Sequence, residues 1–249
     1  MAETLLTLDR VTKSFGALRV TDTVSLDIPR GELHALIGPN GAGKTSLIHQ
    51  LSGSLASDSG RIVFDGEEVT GLPMHARTRR GLVRSFQITS ILPRFTALEN
   101  VALAVQSRSG SSLRFFGDAA RESRLNEEAM EALALLGLAE RAQTLAGTLS
   151  HGEKRGLELA IALALKPKLL LLDEPMAGAG ASESEALVAI LRALKAHCTI
   201  LLVEHDMQAV FALADRISVL VNGSVIATGE PDAVRADAQV RAAYLGETG

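Results

Sequence analysis

Leu33-His-Ala-Leu-Ile37 runs directly into Gly38-Pro-Asn-Gly-Ala-Gly-Lys-Thr45, and the reading of this junction decides the fold. The first stretch is short, mainly apolar and followed at once by turn formers, which predicts a buried strand. The second keeps Gly38, Gly43, Lys44 and Thr45 in the spacing of a phosphate-binding loop, and a helix is predicted after it over residues 46–55. Glycines let backbone N–H groups converge on a phosphate, and the helix N-terminus adds the positive end of its dipole. Gly38, Pro39, Asn40, Gly41, Ala42, Gly43, Lys44, Thr45 and Ser46 are therefore the candidate nucleotide-binding residues. Within that set Lys44 reaches toward the β- and γ-phosphates, and the Thr45 hydroxyl is a candidate Mg²⁺ ligand.

Downstream, Leu169-Leu-Leu-Leu-Asp173-Glu174 carries an unbroken apolar run into two carboxylates. Such runs belong to strands buried on both faces of a parallel sheet. Carboxylates ending a buried strand are costly unless they meet a cation, so Asp173 is a candidate to hold Mg²⁺. Glu174 then stands ready to orient and polarise an attacking water as general base. Thr199-Ile-Leu-Leu-Val203 is a second run of the same kind. Between them Ser182-Glu-Ser-Glu185 reads as a capping box opening a helix, with Leu187, Ile190, Leu191 and Leu194 on one face. Strand, helix, strand in that order predicts a βαβ unit. His205 follows the second run, which brings its loop to the carboxyl edge of the sheet beside the phosphate loop.

Around this centre, short alternating strands are predicted over residues 5–11 and 24–29, with a turn at Phe15-Gly16. A further hairpin element over residues 61–65, closed by Asp65-Gly66, completes a small antiparallel sheet. Helical periodicity holds from residue 88 to 165, with a strong helix over 118–136 and a polar loop at Ser107-Arg-Ser-Gly-Ser-Ser112. Residues 217–221 and 225–228 flank Asn222-Gly223, the signal of a type I′ hairpin. The expected fold is α/β: a P-loop (RecA-like) core with a mostly parallel sheet, an antiparallel β-subdomain and an inserted α-helical subdomain. A single domain spans residues 1–249, with the core and β-subdomain in 1–87 and 166–249 and the helical insert in 88–165.

Composition narrows the function classes. At 249 residues the chain holds one generous core with an attached subdomain. A net charge of -4, 3% aromatic residues and no Trp argue against a nucleic-acid partner, which calls for a basic face and aromatic platforms. The single cysteine, Cys198, reads as a buried thiol, and without a disulfide framework a reducing compartment is expected. Glu3 and the lack of a long apolar stretch near the N-terminus argue against a signal peptide. No apolar run approaches the roughly 20 residues of a membrane-spanning helix, so any membrane role is expected to be peripheral.

Leu149-Ser150-His151-Gly152-Glu153 carries the reading past a generic P-loop protein. Ser150 and Glu153 have the spacing of a capping box, in which Glu153 reaches back to its own helix N-terminus. The segment also resembles the LSGGQ signature of the ABC ATPase family, with His151 replacing a glycine and Glu153 the glutamine. The resemblance runs from Phe15 to Leu245. It implies that Ser150 and Gly152 face the γ-phosphate of the nucleotide held by an opposite subunit. Gln87, after Leu82-Val-Arg-Ser-Phe86, corresponds to the Q-loop glutamine, which senses Mg²⁺ and water and contacts the membrane partner. His205 corresponds to the switch histidine at the γ-phosphate, and Phe15 to the aromatic that stacks on adenine. Gly180 stands in the D-loop where many members carry aspartate.

The LSHGE segment, Asp173-Glu-Pro-Met-Ala-Gly178, Val203-Glu-His-Asp-Met207 and Ala242-Ala-Tyr-Leu-Gly246 are similar to the ATP-binding proteins of branched-chain amino-acid importers. The loop at 107–112 and Phe115-Phe116 lie where those proteins carry an extended segment. Urea importers and the lipopolysaccharide-export ATPase belong to the same neighbourhood. The resemblance implies ATP and Mg²⁺ as cofactors, and a dimer that closes on two nucleotides and reopens after Glu174-assisted hydrolysis. Its implied partners are a related second ABC ATPase subunit in a heterodimer, two transmembrane permease subunits and, indirectly, a periplasmic or extracellular substrate-binding protein. The implied location is peripheral, on the cytoplasmic face of the inner (plasma) membrane. A soluble ABC protein acting on nucleic acid usually has long coiled coils or two cassettes, and neither is visible in this sequence. A P-loop kinase or GTPase leaves the signature segment unexplained, and no Asn-Lys-x-Asp guanine-reading sequence is present.

Overall fold

The computed structural model describes residues 3–85, 91–108 and 119–245. The chain opens as a hairpin in which β1 (Thr4–Phe15) and β2 (Leu18–Pro29) pair antiparallel around Gly16. Both strands outrun the expected 5–11 and 24–29. Arg10 and Thr23, at φ 51 and 50, interrupt the alternation as bulges that bend the ribbon without ending it. All five residues of β3 (Leu33–Ile37) are buried. They include His34, whose ring nitrogens meet Glu32 Oε1 at 2.7 Å and Ser218 Oγ at 2.8 Å, so neither is left unsatisfied in the core.

Helix α1 (Lys44–Ser52) starts earlier than the expected Ser46, because Gly43 at φ 103 already turns the chain into the helix. It also stops short of Leu55, where Gly53 takes the left-handed C-cap conformation at φ 81. Then β4 (Ser59–Phe64) pairs with β1, and β5 (Glu67–Glu68) returns through Asp65 and Gly66, both at positive φ. The antiparallel sheet has the order β2-β1-β4-β5. Next come α2 (Met74–Arg79) and β6 (Leu82–Arg84), which ends before Ser85; Phe86, the last residue of the strand-like stretch, lies outside the described residues.

Three helices follow: α3 (Ala97–Arg108), α4 (Ala119–Leu135) and α5 (His151–Ala164). Their apolar faces share one cluster, with Val101, Leu133 and Leu157 packed together with Leu170, Leu172, Ile200 and Leu202 of the sheet. Those last residues come from the βαβ unit β7 (Leu169–Asp173), α6 (Ala181–Leu194) and β8 (Thr199–Val203). Alternate residues of the same strands, Leu169, Leu171, Leu201 and Val203, point to the opposite face and join β1, β2 and α1. Each strand is thus buried on both faces, as its unbroken apolar run requires. The capping box does not form at Ser182 and Glu185. Helix α6 begins after Gly180, and Glu183 Oε2 accepts from the Gly180 N–H at 3.4 Å, so only the acidic half of a box exists. Cys198 is buried and burial pushes its thiol up to about 11, in keeping with a core thiol.

The chain closes with α7 (Met207–Leu213), the hairpin β9 (Arg216–Val221) and β10 (Ser224–Gly229), then α8 (Pro231–Ala236) and α9 (Ala238–Leu245). Asn222 and Gly223 turn the hairpin at φ 47 and 79, the two positive values a type I′ turn needs. The main sheet runs β10-β9-β3-β8-β7-β6, parallel from β9 to β6 and antiparallel only at β10. No helix among the described residues is long and apolar enough to cross a membrane.

Candidate active site

Strand register assembles the site. Val203 pairs with Leu36 on one side and Asp173 on the other, so β3, β8 and β7 release their loops at one carboxyl edge. The loop after β3 threads between backbone groups: a Cβ at Gly38 would lie 2.1 Å from the Leu220 carbonyl oxygen, and one at Gly43 2.0 Å from that of Val20. Only glycine fits at either point. At the start of α1 there is no side-chain cap and no acidic residue in the first turn. The helix therefore keeps its partial positive charge and unpaired N–H groups available to an anion. Asn40, Gly41 and Thr45 are exposed, Pro39 and Ser46 partly so, and Ala42 is buried beneath the loop. Lys44 folds back over the loop, its Nζ donating to Gly38 O at 2.6 Å and Pro39 O at 3.0 Å. Burial lowers the pKa of this ammonium, while Glu174 and Asp173 pull it back up.

Asp173 ends β7 with its side chain 1% exposed, and Oδ2 accepts from Arg84 Nη2 at 3.1 Å. Its other oxygen, Oδ1, is buried without a partner, as is Arg84 Nε. Burial raises the Asp173 carboxyl above its ordinary value, Arg84 opposes that, and Glu174 adds to it. An orphaned buried carboxylate oxygen beside the phosphate loop is what a divalent cation would satisfy, so the residues present fit Mg²⁺. Thr45 and Asp173 are the described residues that would hold it. Gln87, the third expected ligand, lies outside the described residues.

Glu174 follows in the left-handed region at φ 51, rarely occupied by a residue with a Cβ, and its N–H donates to Val203 O at 2.8 Å. That turn swings its carboxylate toward the loop after β8, where His205 Nε2 lies 2.5 Å from Glu174 Oε1. A cleft of about 190 Å³, lined among others by Ser85, Lys154 and Glu158, opens beside Asp173 and Glu174.

Ser150 caps α5. Its Oγ accepts from the Glu153 N–H at 3.3 Å, and Glu153 Oε2 accepts from the Ser150 N–H at 2.8 Å, with Arg141 Nε 2.7 Å from the other oxygen. Glu153 therefore turns to its own helix, as the capping-box spacing predicts. Ser150 and His151 are exposed and Gly152 is half-buried, on the helical layer formed by α3, α4 and α5. Phe15 is 53% exposed at the end of β1, with Lys13 Nζ 5.6 Å from its ring centroid. Asp58 anchors that strand end by accepting from Lys13 Nζ at 2.6 Å and from the Ser14 N–H at 2.7 Å. An exposed ring held in this way offers a flat apolar face.

Two side chains at this edge escaped the reading of the sequence. Arg84 stands in an apolar strand, where a guanidinium signals a buried acceptor nearby. Glu204 is the first residue off a fully buried strand, the same signal that singles out Asp173, but its neighbour His205 drew the attention.

Phosphate cradle, lysine and strand-end carboxylates on one sheet edge define a P-loop nucleotide-binding protein. The comparisons narrow the class. The family described as "ABC transporter" matches residues 21–177, and that of the "Branched-chain amino acid ATP-binding cassette transporter" matches residues 224–249. The chain belongs to the ATP-binding proteins of ABC transporters. It is 37% identical to the high-affinity branched-chain amino acid transport ATP-binding protein BraF of Pseudomonas aeruginosa, over 99% of this chain and 100% of that protein. The corresponding protein LivG of Escherichia coli K12 is 36% identical, with the same coverage. The lipopolysaccharide export system ATP-binding protein LptB of the same strain is 35% identical over 97% of each. The fold is similar to the ADP conformation of MJ1267, an ATP-binding cassette, with a TM-score of 0.86 and 30% identity over 98% of this chain and 100% of that one.

Proposed function

We propose that this chain is the ATP-hydrolysing subunit of an importer for branched-chain amino acids. The observation that carries the catalytic part is the meeting of Glu174 and His205 at 2.5 Å on the edge that also presents Lys44 and Asp173. Lys44 would leave its loop carbonyls for the β- and γ-phosphates, and the first-turn amides of α1 would bind the same oxygens. Phe15 would stack on adenine. Thr45 and Asp173 would hold Mg²⁺, which when bound would supply positive charge against the charge developing on the phosphates. Glu174 would orient the attacking water and take its proton, with His205 holding that carboxylate and facing the γ-phosphate. Gln87 completes the proposed set. Residues 88–165 serve as the inserted helical subdomain, and residues 1–87 and 166–249 as the nucleotide-binding core.

The match of residues 224–249 to the branched-chain family supports the cargo class, as do BraF and LivG. In this reading a related second ABC ATPase supplies the facing signature, and two permease subunits dock from the membrane at its cytoplasmic face. A substrate-binding protein delivers cargo on the far side. Leu92, Phe95 and Leu145 support a docked partner: all three are large apolar side chains left over 40% exposed, at 43%, 42% and 48%. The Thr96 to Leu145 bridge lays the two segments that carry them side by side. The similarity to LptB favours a second reading, lipopolysaccharide export.

Replacing Glu174 with Gln keeps the shape and removes the base. Turnover is expected to fall at least 100-fold while ATP affinity changes less than threefold, roughly the scale of losing a general base. Steady-state hydrolysis beside fluorescent-nucleotide binding reads both, and unchanged turnover removes Glu174 from this role. The cargo reading is tested by identifying the permease chains that co-purify from membranes: importer permeases support it, and export partners replace it.

A further inference from the structure

Glu204 is 3% exposed, yet its carboxylate faces backbone donors from two different loops. Oε1 accepts from the Met176 N–H at 2.7 Å, in the loop after β7. Oε2 accepts from the His205 N–H at 2.8 Å and, more loosely, from the Asp206 N–H at 3.4 Å, in the loop after β8. One loop carries Glu174 and the other His205. Each oxygen therefore grips one half of the pair that closes at 2.5 Å.

We infer that Glu204 is a positioning residue for ATP hydrolysis, a buried carboxylate that locks the loops after β7 and β8 together so that Glu174 and His205 meet. This rests on the proposed roles of those two residues. Three properties of the site favour the assignment. Glu174 holds a strained φ of 51, and such a conformation persists only where its surroundings over-determine it. The Met176 bond does so close along the chain, together with the Ala177 N–H to Glu174 O bond at 3.1 Å. Arg155 Nη2, donating to Ala177 O at 2.8 Å, then ties the same loop to α5, the helix opened by Ser150. Finally, every hydrogen-bond partner of Glu204 among the described residues is a donor, so the site requires acceptors on both oxygens. Glutamine has nearly the same volume but would set its NH₂ against a backbone N–H, releasing one loop and leaving that amide unsatisfied.

The test compares the full-length wild type with Glu204→Gln, Glu204→Asp and Glu174→Gln. Steady-state hydrolysis is read across ATP concentrations, fluorescent-nucleotide binding gives Kd, and thermal melts report folding. Glu204→Gln is expected to lower kcat at least tenfold with Kd within threefold of wild type, since a displacement of about 1 Å at a reacting pair costs up to 100-fold. Glu204→Asp, which keeps two acceptors on a shorter stem, is expected to recover part of that loss. A role in stability alone would move the melting temperature and leave kcat untouched at a temperature where the variant is folded. Wild-type kcat in Glu204→Gln, or a kcat loss matched by loss of ATP binding, overturns the inference. Should Glu204→Gln not fold, Glu204→Asp decides: a kcat at least twofold lower at unchanged Kd supports the inference, and a smaller change overturns it. Glu174→Gln separates the two claims. If it still turns over, the reading of the base fails, whereas an inert Glu174→Gln beside a fully active Glu204→Gln sinks the positioning role alone.

Discussion

Arg77 is 2% exposed, and the bonds of its guanidinium end on carbonyl oxygens. Nη1 donates to Gln50 O at 2.7 Å and Leu51 O at 2.8 Å, Nη2 to Thr70 O at 2.7 Å, and Nε to Leu72 O at 2.9 Å. The first two acceptors belong to the last turn of α1, the helix that presents Lys44, so a cation here caps the end opposite the phosphate loop. Burial holds its pKa down to about 10, and the group stays charged at neutral pH. Methionine at this position would fill similar space and remove this donor from all four carbonyls, leaving Gln50 O only its 3.3 Å bond from the Gly53 N–H, and lysine, a point charge, cannot fork between them. We expect Arg77→Met to lose about 3 kcal/mol of stability, the scale of several buried acceptors left unsatisfied. For a chain of this size that lowers the melting temperature by on the order of 6–12 °C. A calorimetric melt checks it, and a loss below about 1 kcal/mol would assign the site to packing rather than capping. Nothing in Met74-His-Ala-Arg77-Thr-Arg-Arg80 separates this arginine from its neighbours, because burial here follows from how α2 folds back under α1.

At the scale of the element, the start of α5 is held by ionised Glu153. The bond from the Ser150 N–H is the largest cause of its lowered pKa, followed by the Ser150 hydroxyl, with Arg141 adding to both. A carboxyl whose folded pKa lies below its unfolded value, about 4.3, stabilises the fold above that value. The contribution is lost as pH falls through the lower, folded one. Glu153→Gln should therefore melt about 2–4 °C below wild type at neutral pH, and the gap should narrow as the pH falls below about 4.3 and vanish below the folded pKa. Melts across that range decide it, and a gap independent of pH would mean that the charge contributes nothing. This cap was legible in advance because a box needs only local spacing, and so were the buried strands, the strand-loop-helix junction at residues 38–45 and all three hairpin turns. The box expected at Ser182 failed on the same local logic: Gly180 and Glu183 start the helix earlier, a choice made by the turn after Glu174 rather than by the helix itself. Arg84 and Glu204 stayed hidden for a related reason. Their roles exist only once β6, β7 and β8 lie side by side, and strand order is not written in any one of those strands.

The whole molecule presents a P-loop and a signature segment on different layers. Lys44 rests on the edge of the main sheet, while Ser150 opens a helix packed with α3 and α4, its own polar groups engaged with Glu153. Each motif occurs once in the chain, and under the proposed function the signature of a second protomer would complete the site over the nucleotide of the first. Aspartate at residue 150 is a clean probe of that geometry. It can accept the same first-turn N–H as serine, so α5 should keep its start, although its carboxylate replaces the hydroxyl beside ionised Glu153 and costs some stability there. Yet its negative charge would face the γ-phosphate across the interface, where serine offers a hydroxyl, and like charges at such a contact oppose closure. ATP bound at the chain's own P-loop should be untouched. With no second ATPase present, two copies of this chain can offer the signature to each other, so we expect the specific activity of the purified wild-type chain to climb with its concentration as sites are completed. Ser150→Asp should stay at the level of the dilute protein, with ATP affinity close to wild type and the chain folded at the assay temperature, its melt lowered only by the new carboxylate beside Glu153. Hydrolysis measured over a dilution series beside nucleotide binding tests the idea, and specific activity indifferent to both dilution and Ser150→Asp would mean that a single protomer holds the entire catalytic centre.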